Sequence, residues 1–325
     1  MKKIIVDTYG ADIGHVEIIR GTLDAVMEID DLHVVIVGDE RIIRDMMKTY
    51  GTDESRVEIV HTDKYVTNDD PPTCVFKGKD DTSMVMSLDR LSKSDDVMGM
   101  ISAGNTGALM VGSIFRVGLV KGLMAPALST AIPCGKNGLV CLVDCGANVE
   151  CTPEDLKRYA LMGNAFMQSL LGEEHPKVGL MSVGREDGKG NTLTKAAFEL
   201  IKPLDLNFVG NVEGSDLADT ELDVVVTDGF TGNILLKNTE ECGRAALRII
   251  DSYSDGSEAC KNIRNAIVEK FDFNTRGGAT FLGLKKTVVK MHGCAVADTV
   301  GACIRQIIRI EDRGFSAKVA QAIAE

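Results

Sequence analysis

The chain alternates two kinds of segment. Short runs rich in β-branched residues end in Asp or Gly: "KIIVDTYG", "HVVIVGDE", "RVEIVH", "VMGMISAGNTG", "GLVCLVDCGA", "KVGLMSVG" and "LDVVVTDGFTGN". Most are followed by apolar residues at helical spacing, so the repeating unit is a strand and then a helix. Strands that are apolar at successive positions are buried on both faces, as in a parallel sheet covered by helices on its two sides. The expected fold is therefore α/β, a doubly wound and mostly parallel sheet.

Helices are expected at Glu17–Ile29, Glu40–Tyr50 and Thr106–Val117, and again from the region of Asp155. There Thr152 suits the N-cap and Pro153 the first helical position. The stretch "TDKYVTNDDPPTCVFKGKDD" reads as a polar surface excursion whose paired prolines exclude helix locally. No connection reads as a flexible linker, so residues 1–325 are expected to form a single α/β domain. Towards the end, apolar residues recur at helical spacing from Leu235 to Tyr253 and from Glu258 to Phe271, with "SDGS" as the turn between them. A helical hairpin over about 235–271 suits dimerisation and equally suits ordinary packing on the sheet.

Composition narrows the class. Hydrophobic residues are 44% and charged residues 26% of the chain, the balance of a soluble globular protein. The apolar run before Asp7 is too short for a signal-peptide core, and no apolar stretch of about 18 residues could span a bilayer. A cytoplasmic location is expected. Nine cysteines, an odd number, sit in apolar segments, which points to reduced core thiols rather than disulfides. Cys141, Cys145 and Cys151 match no zinc spacing, so no metal is expected. A formal net charge of −12 argues against nucleic acid, and it means that an anionic substrate or an acidic partner needs a local basic patch.

In open parallel sheets ligands bind beyond the carboxyl ends of the strands. The residues there form a consistent set: Asp7 after the first strand, Asn105 and Thr106 in "SAGNTGA", and Asp144 and Asn148 in "DCGAN". "VGREDGKGN" supplies Arg185, Lys189 and Asn191, and the glycine loop "TDGFTGN" supplies Asp228, Thr231 and Asn233. Glycine lets the backbone approach a ligand, helix starts offer amides, and Lys189 and Arg185 add full positive charge. Any one such loop can be turn chemistry or a helix cap. Taken together they point to an oxyanion, most simply phosphate. "DTYGADIGH" does not fit the three-glycine dinucleotide spacing and no Walker pattern occurs, so neither an NAD nor an ATP enzyme is expected. His292 in "VVKMHG" is the best acid/base candidate, or else a hydrogen-bonded structural residue at a strand end, with Lys290 on the same strand face. His15 either contacts an anion or opens the first helix.

These motifs also carry a resemblance. "VDTYGAD", "ISAGNTGALM", "LVDCGANVE", "VGLMSVGREDGKGN", "FVGNVEGSDL", "DVVVTDGFTGNILLKNTE", "GGATFLG" and "VVKMHG" occur in the order and roughly the spacing of the PlsX phosphate acyltransferases, from Ile4 to the last helix. The resemblance implies a fold like that of the isocitrate and isopropylmalate dehydrogenases and the phosphotransacetylases, without nicotinamide or any other cofactor. It implies transfer of a fatty acyl group from acyl carrier protein to inorganic phosphate, giving acyl phosphate for phospholipid synthesis, in a homodimer. If phosphate itself attacks the thioester, the protein needs no nucleophile, and amides, Asn and Thr make a cradle for the attacking group. By motif, Lys189 and Asn233 hold phosphate and the developing oxyanion, with Asn105, Thr106 and Asn191 as further donors. Asp7, Asp144, Asn148, Asp228 and Thr231 complete the phosphate-binding set, and His292 protonates the leaving thiolate or orients phosphate. Leu235, Leu236, Leu247, Ile250, Ile263 and Ile267 are candidate acyl-groove residues that core packing explains equally well. Lys261, Arg264 and Lys270 are a candidate patch for the carrier.

Three features depart from the family pattern. The first loop, usually Asp-Ala-Met-Gly-Gly-Asp followed by Gly-Pro, here has Thr8, Tyr9, Ala11 and His15, while Asp7 and Asp12 remain. Arg185 stands at an acidic position. The tip between the two late helices is shortened to "YSDGSEACKNIR", without the apolar and basic cluster that touches membrane, so weak or absent membrane contact is expected. The alternatives to acyl carrier protein transfer are a phosphotransacetylase-like enzyme using coenzyme A thioesters and a non-catalytic phosphate or carrier-binding protein, followed by a nicotinamide dehydrogenase.

Overall fold

The structure, a computed structural model, describes residues 1–76, 78–132, 138–218, 221–271 and 277–324. The chain divides into two compact units. The first comprises residues 1–126, 169–172 and those from 277 on; the second comprises 127–168 and 173–276.

In chain order the first unit begins β1 (Lys2–Asp7), α1 (His15–Glu28), β2 (Leu32–Gly38), α2 (Glu40–Tyr50), β3 (Val57–His61), α3 (Ser83–Lys93), β4 (Gly99–Ser102) and α4 (Thr106–Gly112). The second unit contributes β5 (Ala127–Ile132), β6 (Val140–Val143), α5 (Pro153–Leu171), β7 (Lys177–Met181), α6 (Thr192–Ile201), β8 (Asn207–Val212), β9 (Val224–Val226), α7 (Gly229–Tyr253) and α8 (Glu258–Phe271). The chain then returns to the first unit with β10 (Ala279–Leu282), β11 (Thr287–Lys290), α9 (Ala297–Asp312) and α10 (Phe315–Ala324).

The first unit carries parallel pairings β3–β2–β1–β4–β11, with β10 antiparallel to β11. Alternate residues of β1 explain the two-sided burial. Ile4 and Val6 join a cluster with Ile18, Ile19 and Leu23 of α1 and Ile304 and Ile307 of α9, while Ile5, between them in sequence, is equally buried. Close helix approach requires Gly21, where a Cβ would lie 2.3 Å from the Ala297 carbonyl oxygen. The second unit carries parallel pairings β6–β9–β7–β8, with β5 antiparallel to β6. Gly163 of α5 lets that helix lie against Val224, whose Cγ1 would be 2.7 Å from an added Cβ. The mostly parallel α/β architecture is as the hydrophobic pattern predicts.

Several boundaries differ from expectation. The helix expected over Thr106–Val117 is α-helical only to Gly112 and continues as a π-helical turn, Ser113–Val117, ending at Gly118 with φ 88°. The prolines of the polar excursion do not exclude helix: Pro72–Phe76 is a short 3₁₀ helix, because Pro at a first helical position has no amide to leave unpaired. The largest difference is α7. It begins at Gly229, six residues before the expected Leu235, so "DGFTGN" is a helix cap and first turn rather than a loop. Asp228 dictates this by accepting from the Thr231 amide at 2.9 Å while the Thr231 hydroxyl returns a bond at 2.8 Å. At Thr152 the expected cap is present: its Oγ1 accepts from the Asp155 amide at 3.3 Å, and the Asp155 carboxylate accepts from the Thr152 amide at 2.9 Å.

Candidate active site

In the first unit β1, β4 and β11 end side by side, with Asp7, Ser102 and Lys290 in register. Asp7 is 1% exposed and accepts from the Ser102 hydroxyl at 2.7 Å and the Tyr9 amide at 3.3 Å. Burial pushes its carboxyl above the ordinary range, against those hydrogen bonds and the charge of Lys290. Lys290 Nζ donates to the Ala103 carbonyl at 3.0 Å and to that of Met291, tying down the turn after β4. Gly10, at φ 96°, lets the first loop touch that turn, since a Cβ there would lie 2.4 Å from Gly104 Cα.

Asn105 caps α4 by accepting from the Ala108 amide at 3.0 Å, and its Nδ2 faces the carbonyls of Thr67, Asn68 and Asp70 at 3.3 Å each. Its side chain thus holds the 67–70 turn against the helix. The Thr106 side chain is exposed and has no hydrogen-bond partner among the described residues. His292 follows β11; its Nδ1 lies 3.1 Å from Cys294 Sγ, a neighbour that "MHGC" displays in sequence but whose contact only the fold reveals. Asp12 adjoins this turn, its amide donating to the Gly293 carbonyl at 2.8 Å. Tyr65, which the sequence did not single out, stacks on Tyr9 at 5.0 Å between ring centroids, and Tyr9 in turn contacts the His15 ring at 5.1 Å.

In the second unit the first turn of α7 presses on the loop after β6. Asp144 is fully buried and accepts five hydrogen bonds: from the amides of Leu128, Gly146, Ala147 and Asn148, and from Asn148 Nδ2. Burial pushes its carboxyl up while these donors oppose the shift. Asp144 and Asn148 therefore build the loop. The Gly229 amide donates to the Asn148 carbonyl at 2.9 Å, and an added Cβ on Gly229 would sit 2.4 Å from that oxygen. Both glycines of "DGFTGN" permit this contact.

Asn233 completes the turn. It is exposed, its Oδ1 lies 3.5 Å from where a Cβ on Gly146 would be, and its amide has no hydrogen-bond partner among the described residues. After β7, Asn191 caps α6 by accepting from the Thr194 amide at 2.9 Å. Lys189 lays its stem on Gly184, with Cγ 3.0 Å from a built Cβ, and its exposed ammonium has no ion-pair partner among the described residues. Arg185 is not free for an anion: it pairs with Asp216, Nε to Oδ2 at 3.2 Å, and approaches Glu213 at 3.8 Å. Its charge links the loops after β7 and β8.

The structure thus sorts the expected residues. Asp7, Asn105, Asp144, Asn148, Asn191 and Asp228 spend their polar atoms on loop and cap bonds, whereas Thr106, Lys189 and Asn233 keep theirs available. Among the described residues no group of three or more His, Cys, Asp or Glu side chains is placed to hold a metal.

Burial also sorts the thiols. Cys141 and Cys303 are pushed up to about 12 by burial and Cys145 is raised by the same cause, while Cys242 and Cys294 are exposed. Thiolate is the reactive form. Ellman's reagent at pH 8 is therefore expected to label Cys242 and Cys294 in the native protein and to reach Cys141, Cys145 and Cys303 only in denaturant. Peptide mapping that found Cys303 labelled as fast as Cys294 would contradict this.

The mostly parallel α/β fold is one that solved phosphotransacetylases share. The solved phosphotransacetylase of Streptococcus pyogenes superposes with a TM-score of 0.64, covering 100% of this chain and 94% of that one at 18% identity. The family model described as fatty acid synthesis protein matches residues 2–318. The phosphate acyltransferase of Clostridioides difficile is 38% identical over 314 residues, 94% of this chain and 92% of the relative. That of Thermoanaerobacterium thermosaccharolyticum is 39% identical over 311 residues, covering 94% and 91%. The chain belongs to the fatty acid synthesis protein family of PlsX phosphate acyltransferases.

Proposed function

We propose that this protein transfers a fatty acyl group from the thioester of acyl carrier protein to inorganic phosphate, phosphate attacking the carbonyl directly. The observation that carries the proposal is that Lys189, in the loop after β7, and Asn233, in the first turn of α7, are polar groups with no partner among the described residues. A cation suits phosphate, and an amide donor suits the oxyanion that forms as the carbonyl becomes tetrahedral. Thr106 supplies a further hydroxyl. Asn105 and Asn191 act through their backbones and caps, and Asp7, Asp144, Asn148, Asp228 and Thr231 hold the loops in place. His292 gives the departing sulfur its proton, with Cys294 fixing its ring. No step calls for a cofactor.

Residues 1–325 serve, in this proposal, as one cytoplasmic acyltransferase domain with an isocitrate dehydrogenase-like fold, working as a homodimer. The helices α7 and α8 lie against each other, with Arg264 bonded to Asp251 at 2.8 Å and Phe271 beside Gly243. Within the chain this hairpin leaves Ile234, Ile249, Tyr253 and Ile263 more than half exposed. Apolar helix faces of that kind favour burial against a second copy. Leu235, Leu236, Leu247, Ile250 and Ile267 are candidates for an acyl groove beside it. In the carrier patch Arg264 is engaged by Asp251 and Lys261 lies 3.9 Å from Glu258, which leaves Lys270 as the cation without a partner among the described residues.

The test is release of free thiol from long-chain acyl carrier protein, with and without inorganic phosphate and with acyl-coenzyme A in parallel. Phosphate-dependent release from the carrier substrate supports the proposal; release from neither donor means a binding protein.

The tip between α7 and α8 carries Asp255, held near 2 by the Ser257 hydroxyl and amide, beside Glu258, and no helix of the described residues is long and apolar enough to cross a membrane. Anionic lipid repels such a tip. The pure protein is expected to stay in the supernatant when spun with phosphatidylglycerol liposomes, and robust co-sedimentation would contradict the expectation.

A further inference from the structure

Away from the strand-end residues, the first unit contains a cavity of about 510 Å³ lined by Val120, Lys121, Gly122, Lys285, Ser316, Ala320 and Ala324. That volume falls within the roughly 300–1,000 Å³ usual for small-molecule sites. Two backbone segments build one wall. Residues 118–120 pair with 283–285 through the Leu119–Leu284 bridge, the Lys285 amide donating to the Gly118 carbonyl and the Val120 amide to that of Gly283, both at 2.9 Å. The other wall is one face of α10, where Ser316, Ala320 and Ala324 recur every four residues.

The lining has an apolar floor and a cationic rim. Val120, Ala320, Ala324 and the alkyl stem of Lys285, which lies 3.5 Å from a built Cβ on Gly118, are apolar. Ser316 spends its hydroxyl on Glu311 at 2.8 Å. Lys121 and Lys285 are exposed, and neither ammonium has an ion-pair partner among the described residues. In a chain of net charge −12, two lysines on one cavity with no ion-pair partner among the described residues mark a place suited to negative charge. The position separates this cavity from the acyltransfer residues. Lys285 precedes β11, whereas Lys290 and His292 lie at or beyond its other end.

We propose that this cavity binds a single-chain amphiphilic anion, its acyl chain against Val120, Ala320 and Ala324 and its oxyanion head between Lys121 and Lys285. Burying the chain's methylenes favours binding, and the two ammonium groups select an anionic head over a cationic one. A free fatty acid and an acyl phosphate share this chemistry.

Calorimetric titration of the full-length protein with dodecanoate, dodecyl phosphate, dodecyltrimethylammonium and inorganic phosphate tests the proposal. Wild type is expected to bind one equivalent of an acyl anion at this cavity besides any held at the acyltransfer residues, and the tighter of the two anions identifies the source. The double variant Lys121→Glu/Lys285→Glu is expected to weaken binding by roughly tenfold or more, and Ala320→Trp, which fills the cavity from an exposed position, to do the same without charge reversal. Thiol release from acyl carrier protein should continue in both variants, so failure of this site and failure of the acyltransfer proposal are read separately. Unchanged affinity in both variants would place the ligand elsewhere and overturn the proposal. So would equal binding of dodecyltrimethylammonium, binding of inorganic phosphate as tightly as the acyl anions, or no binding of either anion.

Discussion

Replacing Lys189 with alanine is expected to lower phosphate-dependent thiol release by about 10²–10³-fold, the loss that follows removal of one well-placed oxyanion-stabilising group, or roughly 2.7–4 kcal/mol. The fold should be indifferent. Lys189 is exposed and has no ion-pair partner among the described residues, and its stem lies on Gly184. The melting temperature of Lys189→Ala should therefore match wild type while kcat falls and KM for phosphate rises. Arg185→Ala gives the contrast. Its guanidinium is committed to Asp216 and Glu213 on an exposed surface, so its loss should cost little stability and far less turnover. Steady-state kinetics over a phosphate series would check both, and near-normal turnover in Lys189→Ala would remove this lysine from the mechanism.

That contrast shows what the sequence could and could not display. The strands were legible because "KIIVD" and "LDVVV" are apolar at successive positions, and a parallel sheet is the fold that buries both faces. The strand-end rule then found the loops, including Lys189 and Asn233. What each polar side chain does depends on which neighbour folding supplies. Arg185 read as an extra cation until Asp216 and Glu213, about thirty residues on, came within reach. Asn105 read as a ligand donor, yet it meets three carbonyls of a turn that lies far back in the chain. Asp144 looked like a site carboxylate; four of the five bonds it accepts come from Gly146, Ala147 and Asn148 beside it, so that turn was locally legible, and only the Leu128 amide is distant. Long-range partners leave no local pattern.

The start of α7 was hidden for a different reason. Two glycines in six residues argue for a loop on propensity alone, since each costs a helix about 1 kcal/mol relative to alanine. Tertiary contact reverses that inference, because the helix must begin flush against the loop after β6. The signal that was available is the Asp-x-x-Thr spacing of Asp228 and Thr231, a capping pattern that can start a helix despite glycine.

Gly232→Ala should accordingly be among the most damaging single-methyl changes in the protein. By helix propensity the substitution favours folding by roughly 0.5–1 kcal/mol. The built Cβ, however, would stand 1.9 Å from the Asp144 carbonyl oxygen and 2.9 Å from Thr227 Cγ2, and the first of these is backbone that no rotamer can move aside. Relief requires α7 to lift from the 144–148 loop, at a cost of about 1–3 kcal/mol or more, as in overpacked cores. The clash therefore wins over propensity. Because Asn233 is the next residue and sits over Gly146, the same displacement carries its amide away from the loop, so activity should fall further than stability alone explains. Gly188→Ala is the control: nothing lies within 4 Å of its built Cβ and its φ is not positive, so it should leave the melting temperature unchanged or slightly raised. Thermal melts and thiol-release rates of the two variants side by side decide the matter, and a Gly232→Ala protein as stable and active as Gly188→Ala would mean that α7 does not rest on the loop after β6.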